Sequence, residues 1–469
     1  MKQGTLKELH CPYCGSPFEL IDKFDIYGED VIHGIAKCNC RRYPIVSGIL
    51  VLNILNLNAL NQALRELERR QPKLALLQLL EPTTKVSRVI RAAKHRGVPF
   101  STALEKLRTK LTQCYLNRFL CLDSFSSMID YFKFISFGGY FKYRFSGSSF
   151  ICGIPLTLLM NYFAGPVLEI GCGMGHHGFI ISQLYPQRRL VLTDSAFINL
   201  YLAKRFFAPQ AEYVCLNANE PLPFADQSFS TVFSSDALHY LHSKKLAIWE
   251  IGRVSKTNNA LILLSHLHNL EEENPVAGEP LTALGWLDLV SFGQAKLFPE
   301  TQVLENFLNE DKLDLLYDST GGGIEKENAF VLVATSRPGV FRVYENIGGP
   351  FFNLRSHPIV NPLYHLLFKD SEVLLQKRWP SKFMRAENIN IDRILPENLS
   401  LNKQIFKKLR PPTSLADSGL FLAKFQWLRK FYTFLYHKKI IENKSLELDV
   451  STVAELMKKF VLINVPAHY

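Results

Sequence analysis

Long uninterrupted hydrophobic stretches are missing from this 469-residue sequence. Its most apolar run, FICGIPLTLLMNYFAGPVLEI at 150–170, is broken by proline and glycine, which predicts buried core and not a membrane span. A positively charged opening followed by an apolar segment is also lacking, because MKQGTLKELHCPYC runs directly into cysteines. Export is therefore not expected, and a cytoplasmic location is. There is no internal repeat and no low-complexity tract, which excludes solenoid arrays and biased linkers. Charged residues make up only 21% of the chain against 47% hydrophobic ones, so a disordered protein is excluded. The length predicts about three folded units.

An even, regularly spaced cysteine framework is absent too. Of nine cysteines, Cys114, Cys121, Cys152, Cys172 and Cys215 are scattered through helical and core-like segments, which argues against disulfides. The other four form two close pairs, Cys11 with Cys14 in HCPYCGSPF and Cys38 with Cys40 in KCNCRRYPI. Paired thiolates on two turns are a ligand set for tetrahedral, structural zinc, with His10 or His33 able to replace one sulfur. Four thiolates would leave no open coordination position, so the metal is expected to be structural.

Acidic residues are the minority. Lys and Arg number 54 against 43 Asp and Glu, a net charge of +11, with the basic excess concentrated at 61–118 and beyond 339. Such a balance suits nucleic acid, an anionic surface or a phosphorylated substrate, and speaks to association, not to fold. RVIRAAKHRG within the basic connector reads as a solvated face. YFKFISFGGYFKYRF at 131–145 interleaves aromatics with Lys133, Lys142 and Arg144. It reads as a packed helix or lid ahead of a nucleic-acid surface.

What the middle of the chain does have is glycine in an unusual place. VLEIGCGMGHHGFIIS at 167–182 puts Gly171, Gly173 and Gly175 directly after an apolar, strand-like run. Glycine weakens a regular element, so alternate glycines imply a turn that a ligand approaches closely. Strand-like and helix-like runs alternate from 151 to 338, which predicts a doubly wound parallel sheet. Asp194 ends the second strand, RLVLTD, where a carboxylate can accept from ribose hydroxyls. A polar turn, NANEPLPFADQ, follows the third strand, and the fourth ends at Ser234–Asp236. The module closes with two strand-like runs flanking a glycine-rich turn, in KLDLLYDSTGGGIEKENAFVLVATSRP. The expected organisation is a zinc ribbon at 1–55, a helical connector and lid at 56–150, the α/β module at 151–338, and a mixed, partly helical accessory unit at 339–469.

VLEIGCGMG, VLTD and NANEPLPFADQSFSTVFSSDALHYL together resemble the class I S-adenosylmethionine-dependent methyltransferases, in particular the ubiquinone/menaquinone-type small-molecule branch, over about 190 residues. That resemblance implies a Rossmann-like core binding S-adenosylmethionine. It puts Glu169, Gly171, Gly173 and Gly175 at the methionine end, Asp194 on the ribose, Asn217 and Ala218 at the adenine edge, and Ser235 and Asp236 near the sulfonium. Asn217 departs from the Asp that the family often has, and its amide can still accept a hydrogen bond. CRRYPIVSGILVL likewise resembles the small zinc-ribbon family that activates certain methyltransferases, over about 50 residues.

Holding donor methyl and acceptor in line supplies most of the catalysis, with a base needed only where the acceptor must lose a proton. His239, just past the fourth strand, is the candidate base. His176 and His177 are expected to be locally satisfied residues of a helix start. The expected activity is methylation of a small-molecule or glycan-type acceptor. The alternatives are a zinc-ribbon RNA base methyltransferase, for which no NPPY-like tetrapeptide follows strand four, and a non-catalytic scaffold that keeps the pocket. Oligomeric state is not legible in the sequence.

Overall fold

A computed structural model of the chain describes residues 1–80, 102–131, 138–316, 324–352, 357–369, 371–402, 405 and 450–469. The basic run 88–97, Lys133 and most of the basic C-terminal segment lie outside the described residues.

Twelve strands form the frame: β1 Glu19–Tyr27, β2 Asp30–Lys37, β3 Arg42–Val46, β4 Ile49–Val51, β5 Val167–Ile170, β6 Leu190–Asp194, β7 Glu212–Cys215, β8 Thr231–Ser235, β9 Leu261–His268, β10 Gln294–Pro299, β11 Lys312–Asp314 and β12 Ala329–Thr335. Eleven of them build one sheet in the order β1-β2-β3-β4-β7-β6-β5-β8-β9-β12-β10. From β7 to β9 the strands pair in parallel, whereas β12 lies antiparallel between β9 and β10. β5, β6, β8 and β12 are buried nearly throughout and read as continuous apolar runs because helices cover both sheet faces.

The chain winds from β5 outward to β6 and β7, then returns to place β8 on the other side of β5. That reversal opens a crevice at the carboxyl ends of β5 and β8, where ligands bind in open α/β sheets. The cysteine-bearing segment extends this same sheet. β4 pairs in parallel with β7, Ile49–Val51 against Tyr213–Cys215, and Leu52 N–H donates to the Cys215 carbonyl at 2.7 Å. On the first turn of the chain, Thr5 Oγ1 donates to buried Glu212 at 2.7 Å, and Arg189 binds the same carboxylate at 3.3 Å.

The apolar stretch at 150–170 is core, as its prolines and glycines predicted. All twelve residues of helix Ser148–Leu159 are buried. Gly153 on this helix leaves room for the ring of His177, which a Cβ would strike. Among the described residues no helix is long and apolar enough to cross a membrane. The two-strand closure expected at 312–335 takes another form. β11 pairs with Val343–Glu345, and β12 goes into the main sheet beside β9, because an all-buried strand gains more from two covered faces than from a surface hairpin.

Candidate active site

The glycine loop forms the floor of a cavity of about 870 Å³ at the crevice, within the range of small-molecule sites. Gly171, Gly173 and Gly175 all adopt positive φ, at 69°, 54° and 82°, a region that side chains other than glycine enter at a cost. At Gly171 a Cβ would run into Ala237, so the loop needs glycine for close approach as well as for its backbone. Helix His176–Leu184 begins at Gly175 and aims its first backbone N–H groups at the loop.

Both acids expected on the donor side line this cavity. Asp194 accepts from Gly173 N–H at 2.9 Å, Ala196 N–H at 2.8 Å and Asn199 Nδ2 at 3.1 Å. Burial raises its pKa to about 6 in spite of those donors. Glu169 is 2% exposed, and its Oε2 has no hydrogen-bond partner. Burial pushes its pKa to about 8, with Arg144 opposing the rise and Asp194 adding to it. A buried, unpartnered carboxyl oxygen is costly unless a ligand satisfies it, and a cationic group does so best. Asn217 and Ala218 line the same cavity. Asn217 Oδ1 already accepts from the backbone and side-chain nitrogens of Asn219, at 3.1 and 3.0 Å.

Toward the other end Ser235 donates to the Ser149 carbonyl at 3.0 Å. Asp236 stands at the strand end with φ of 57°, a strained setting for a residue with a side chain. Its Oδ2 takes Tyr140 Oη at 2.7 Å and Arg144. Against the cost of burial, the Arg144 guanidinium and the His266 imidazole hold this carboxyl well below the usual range.

His239 is 1% exposed and does not line the cavity, although Asp236, Leu238 and Tyr240 do. Neither ring nitrogen has a hydrogen-bond partner. Burial and the nearby His268 press its pKa to about 3, so the ring is neutral near pH 7. His176 and His177 meet backbone carbonyls, of Phe141 at 3.3 Å and Phe150 at 3.1 Å, delivered by two earlier helices and not by their own helix start, and burial lowers the pKa of both.

Several wall residues escaped the sequence reading. Leu55 arrives from the end of the cysteine-bearing segment, Val276 and Ala277 from the loop after β9, and Phe383 and Glu387 from the C-terminal region. Glu387 Oε2 is buried without a partner, and burial followed by Asp236 raises its pKa to about 7. Tyr140 and Arg144 had been singled out only as part of an aromatic, basic lid. Nothing in local spacing marks these positions, because long-range packing delivers each of them.

Away from the crevice, Cys11, Cys14, Cys38 and Cys40 bring their sulfurs within 4.8 Å of one another. Cys11 and Cys40 are 3.7 Å apart, Cys38 and Cys40 3.4 Å. Four sulfurs at zinc–sulfur bonds of about 2.3 Å are separated by about 3.8 Å, so the set fits a tetrahedral ion. His33 stays outside, its Nδ1 accepting from Ser47 N–H.

A family model described as a methyltransferase domain matches residues 167–258. The chain is 28% identical over 97 residues to malonyl-[acyl-carrier protein] O-methyltransferase of Legionella pneumophila, covering 20% of this chain and 34% of that protein. It thus spans about a third of that relative's length. Among solved structures, a chain of the complex containing the Haloferax volcanii Trm112 methyltransferase activator matches 42% of this chain and 94% of its own, at 13% identity and TM-score 0.29. Geranyl diphosphate C-methyltransferase from Streptomyces coelicolor, solved with S-adenosyl-L-homocysteine, matches 38% and 72%, at 14% identity and TM-score 0.28. The segment matched by the family model holds the glycine loop, Asp194, Asn217 and Asp236, so this part of the chain is similar to a methyltransferase domain.

Proposed function

We propose that the chain methylates a small-molecule acceptor, with S-adenosylmethionine lying along the crevice between β5 and β8. The observation that carries this reading is Glu169: a buried carboxyl with an unpartnered oxygen, beside a glycine loop that no side chain fills, in a cavity with room for a second molecule. A donor carrying an ammonium group would satisfy that oxygen. Asp194 and Asn217 would hold ribose and adenine, and Ser235 and Asp236 would border the methyl end. When bound, the donor supplies a methyl group on a sulfonium, an excellent leaving group, so the protein's part is to orient the acceptor and exclude water.

The acceptor would enter at the opposite end, between Tyr140, Tyr240, Phe383 and Glu387. These aromatic walls with a single carboxyl suit a small, partly apolar molecule. His239 belongs to this acceptor end in our reading but acts through Asp236, since its ring is shut off from the cavity. The thiolate cluster would hold one structural zinc and fix the segment that ends in Leu55.

Titration calorimetry with S-adenosylmethionine and its demethylated product is the test. Micromolar binding, about −8 kcal/mol, is expected. A folded protein that binds neither would overturn the reading. Retention on RNA that falls steeply with salt would move the acceptor from a small molecule to nucleic acid.

A further inference from the structure

Behind the strand-end carboxylate lie four polar atoms without partners: Asp236 Oδ1, both ring nitrogens of His239, and His268 Nε2. Asp236 has a side chain 7% exposed, His239 is 1% exposed and His268 2%. Buried polar atoms are nearly always paired, and leaving one unpaired costs about 1–3 kcal/mol. Four in one place therefore imply a missing partner.

Their geometry identifies its class. His239 Nε2 lies 3.9 Å from Asp236 Oδ1, and His268 Nε2 lies 3.6 Å from the same oxygen. One donor atom from each residue falls within a 4.8 Å circle. Ligands on a tetrahedral ion with bonds of 2.0–2.2 Å are separated by about 3.3–3.6 Å, close to both distances from Asp236, and the stacked His239 and His268 rings, 3.9 Å between centroids, must swing apart for both Nε2 atoms to meet one ion. We propose that Asp236, His239 and His268 bind a divalent transition-metal ion at the acceptor end of the cavity. Two imidazoles and one carboxylate suit manganese, iron(II) or zinc ahead of magnesium or calcium.

The surroundings are arranged as an outer shell for such an ion. Oδ2 of Asp236 is taken by Tyr140 and Arg144, which leaves Oδ1 aimed at the histidines. The loop after β9 closes the far side: Glu279 N–H donates to the His239 carbonyl at 2.8 Å, and a Cβ on Gly278 would strike His239. Asn274 on that loop contacts His268 Nδ1. As it stands its NH2 group faces the ring while its oxygen accepts from Val276 N–H at 3.0 Å. Ligation through Nε2 would move the ring proton to Nδ1 and require the Asn274 amide to turn its oxygen from Val276 N–H to the ring. His266 does not join, because Glu300 holds its Nδ1 at 2.6 Å. Asp236 itself faces the cavity, so an ion behind it would hold in place the carboxylate that borders the acceptor end, a role that rests on the methyl-transfer reading.

Mn2+ titration followed by electron paramagnetic resonance tests the site on the full chain, since the hard Mn2+ ion avoids the four thiolates. The parent is expected to bind one equivalent. His239→Ala and His268→Gln should each weaken it at least tenfold, while His242→Ala, on an exposed ring, should not. Circular dichroism and heat of donor binding report whether each variant folds. A parent that binds no Mn2+, and no Zn2+ once Cys11→Ser and Cys14→Ser have removed the thiolate site, overturns the inference and assigns the orphaned atoms to ordered water. Variants that bind Mn2+ like the parent overturn it too. Donor binding without metal would leave the methyl-transfer reading standing alone. Metal binding without donor would uphold the ion site and remove its acceptor role.

Discussion

The two ends of the cavity are built by different means. The donor end is almost one sequence segment: the loop after β5, Asp194 closing β6 and Asn217 after β7 come within about fifty residues and rely on backbone geometry. The acceptor end draws Tyr140 and Arg144 from the helix and turn at 138–146, Asp236 from β8, His268 from β9 and Glu387 from helix Lys382–Glu387. Backbone shape can be specified locally, whereas a cluster of buried charges exists only once distant elements have packed. The donor end should therefore fail through shape and the acceptor end through uncompensated charge.

The largest effect expected at the donor end comes from Gly173→Val. Gly173 has φ of 54° and only Phe141 at 3.5 Å from a would-be Cβ, so the fold can absorb the change with strain of about 1–2 kcal/mol while the side chain fills the ligand's path. Calorimetry should show no donor heat from a folded variant, and full heat would break the shape argument. At the acceptor end Arg144→Ala leaves Asp236 buried without its cation. A loss of about 3–5 kcal/mol in denaturant unfolding is expected, and a loss under 1 kcal/mol would mean that water reaches the carboxylate.

Glu169 sharpens the comparison, being a donor-end residue that acts through its charge. Glu169→Gln should weaken donor binding by about 10- to 100-fold. Its folded pKa of about 8 lies above the usual 4.5, so the stability that its protonated form contributes is present below the unfolded pKa and lost as pH rises through 8. In the parent, donor affinity should rise between pH 6 and 8 while free-protein stability falls, and the variant should show neither slope. The smallest effect on the crevice is expected from Cys11→Ser. Metal analysis should fall from about one zinc to near zero in the thiolate cluster, with donor affinity changed only a few-fold through Leu55. A complete loss of donor binding would show that the ribbon is part of the site.

How much of this was legible follows from how each part is encoded. The thiolate cluster was, because two turns carry the ligands at short spacing. His176 and His177 were legible as satisfied residues but not in their partners, since the carbonyls of Phe141 and Phe150 reach them from helices about thirty residues earlier in the chain. His239 was visible as a histidine past the fourth strand but not as a buried one, since its loss of exposure comes from the loop at 271–280. The glycine-rich closure was misjudged because β11 and β12 are adjacent in sequence yet join different sheets.

By itself the sequence determined the alternation of strands and helices, the glycine loop and the four-cysteine set, all of which rest on periodicity, backbone freedom or ligand spacing within a few dozen residues. Tertiary structure alone decided that the cysteine-bearing segment extends the main sheet through β4 and β7, and that a C-terminal glutamate reaches the cavity. It also decided that Asp236, His239 and His268 face one another. Such meetings depend on packing free energy summed over the whole core, to which no short stretch of sequence holds the key.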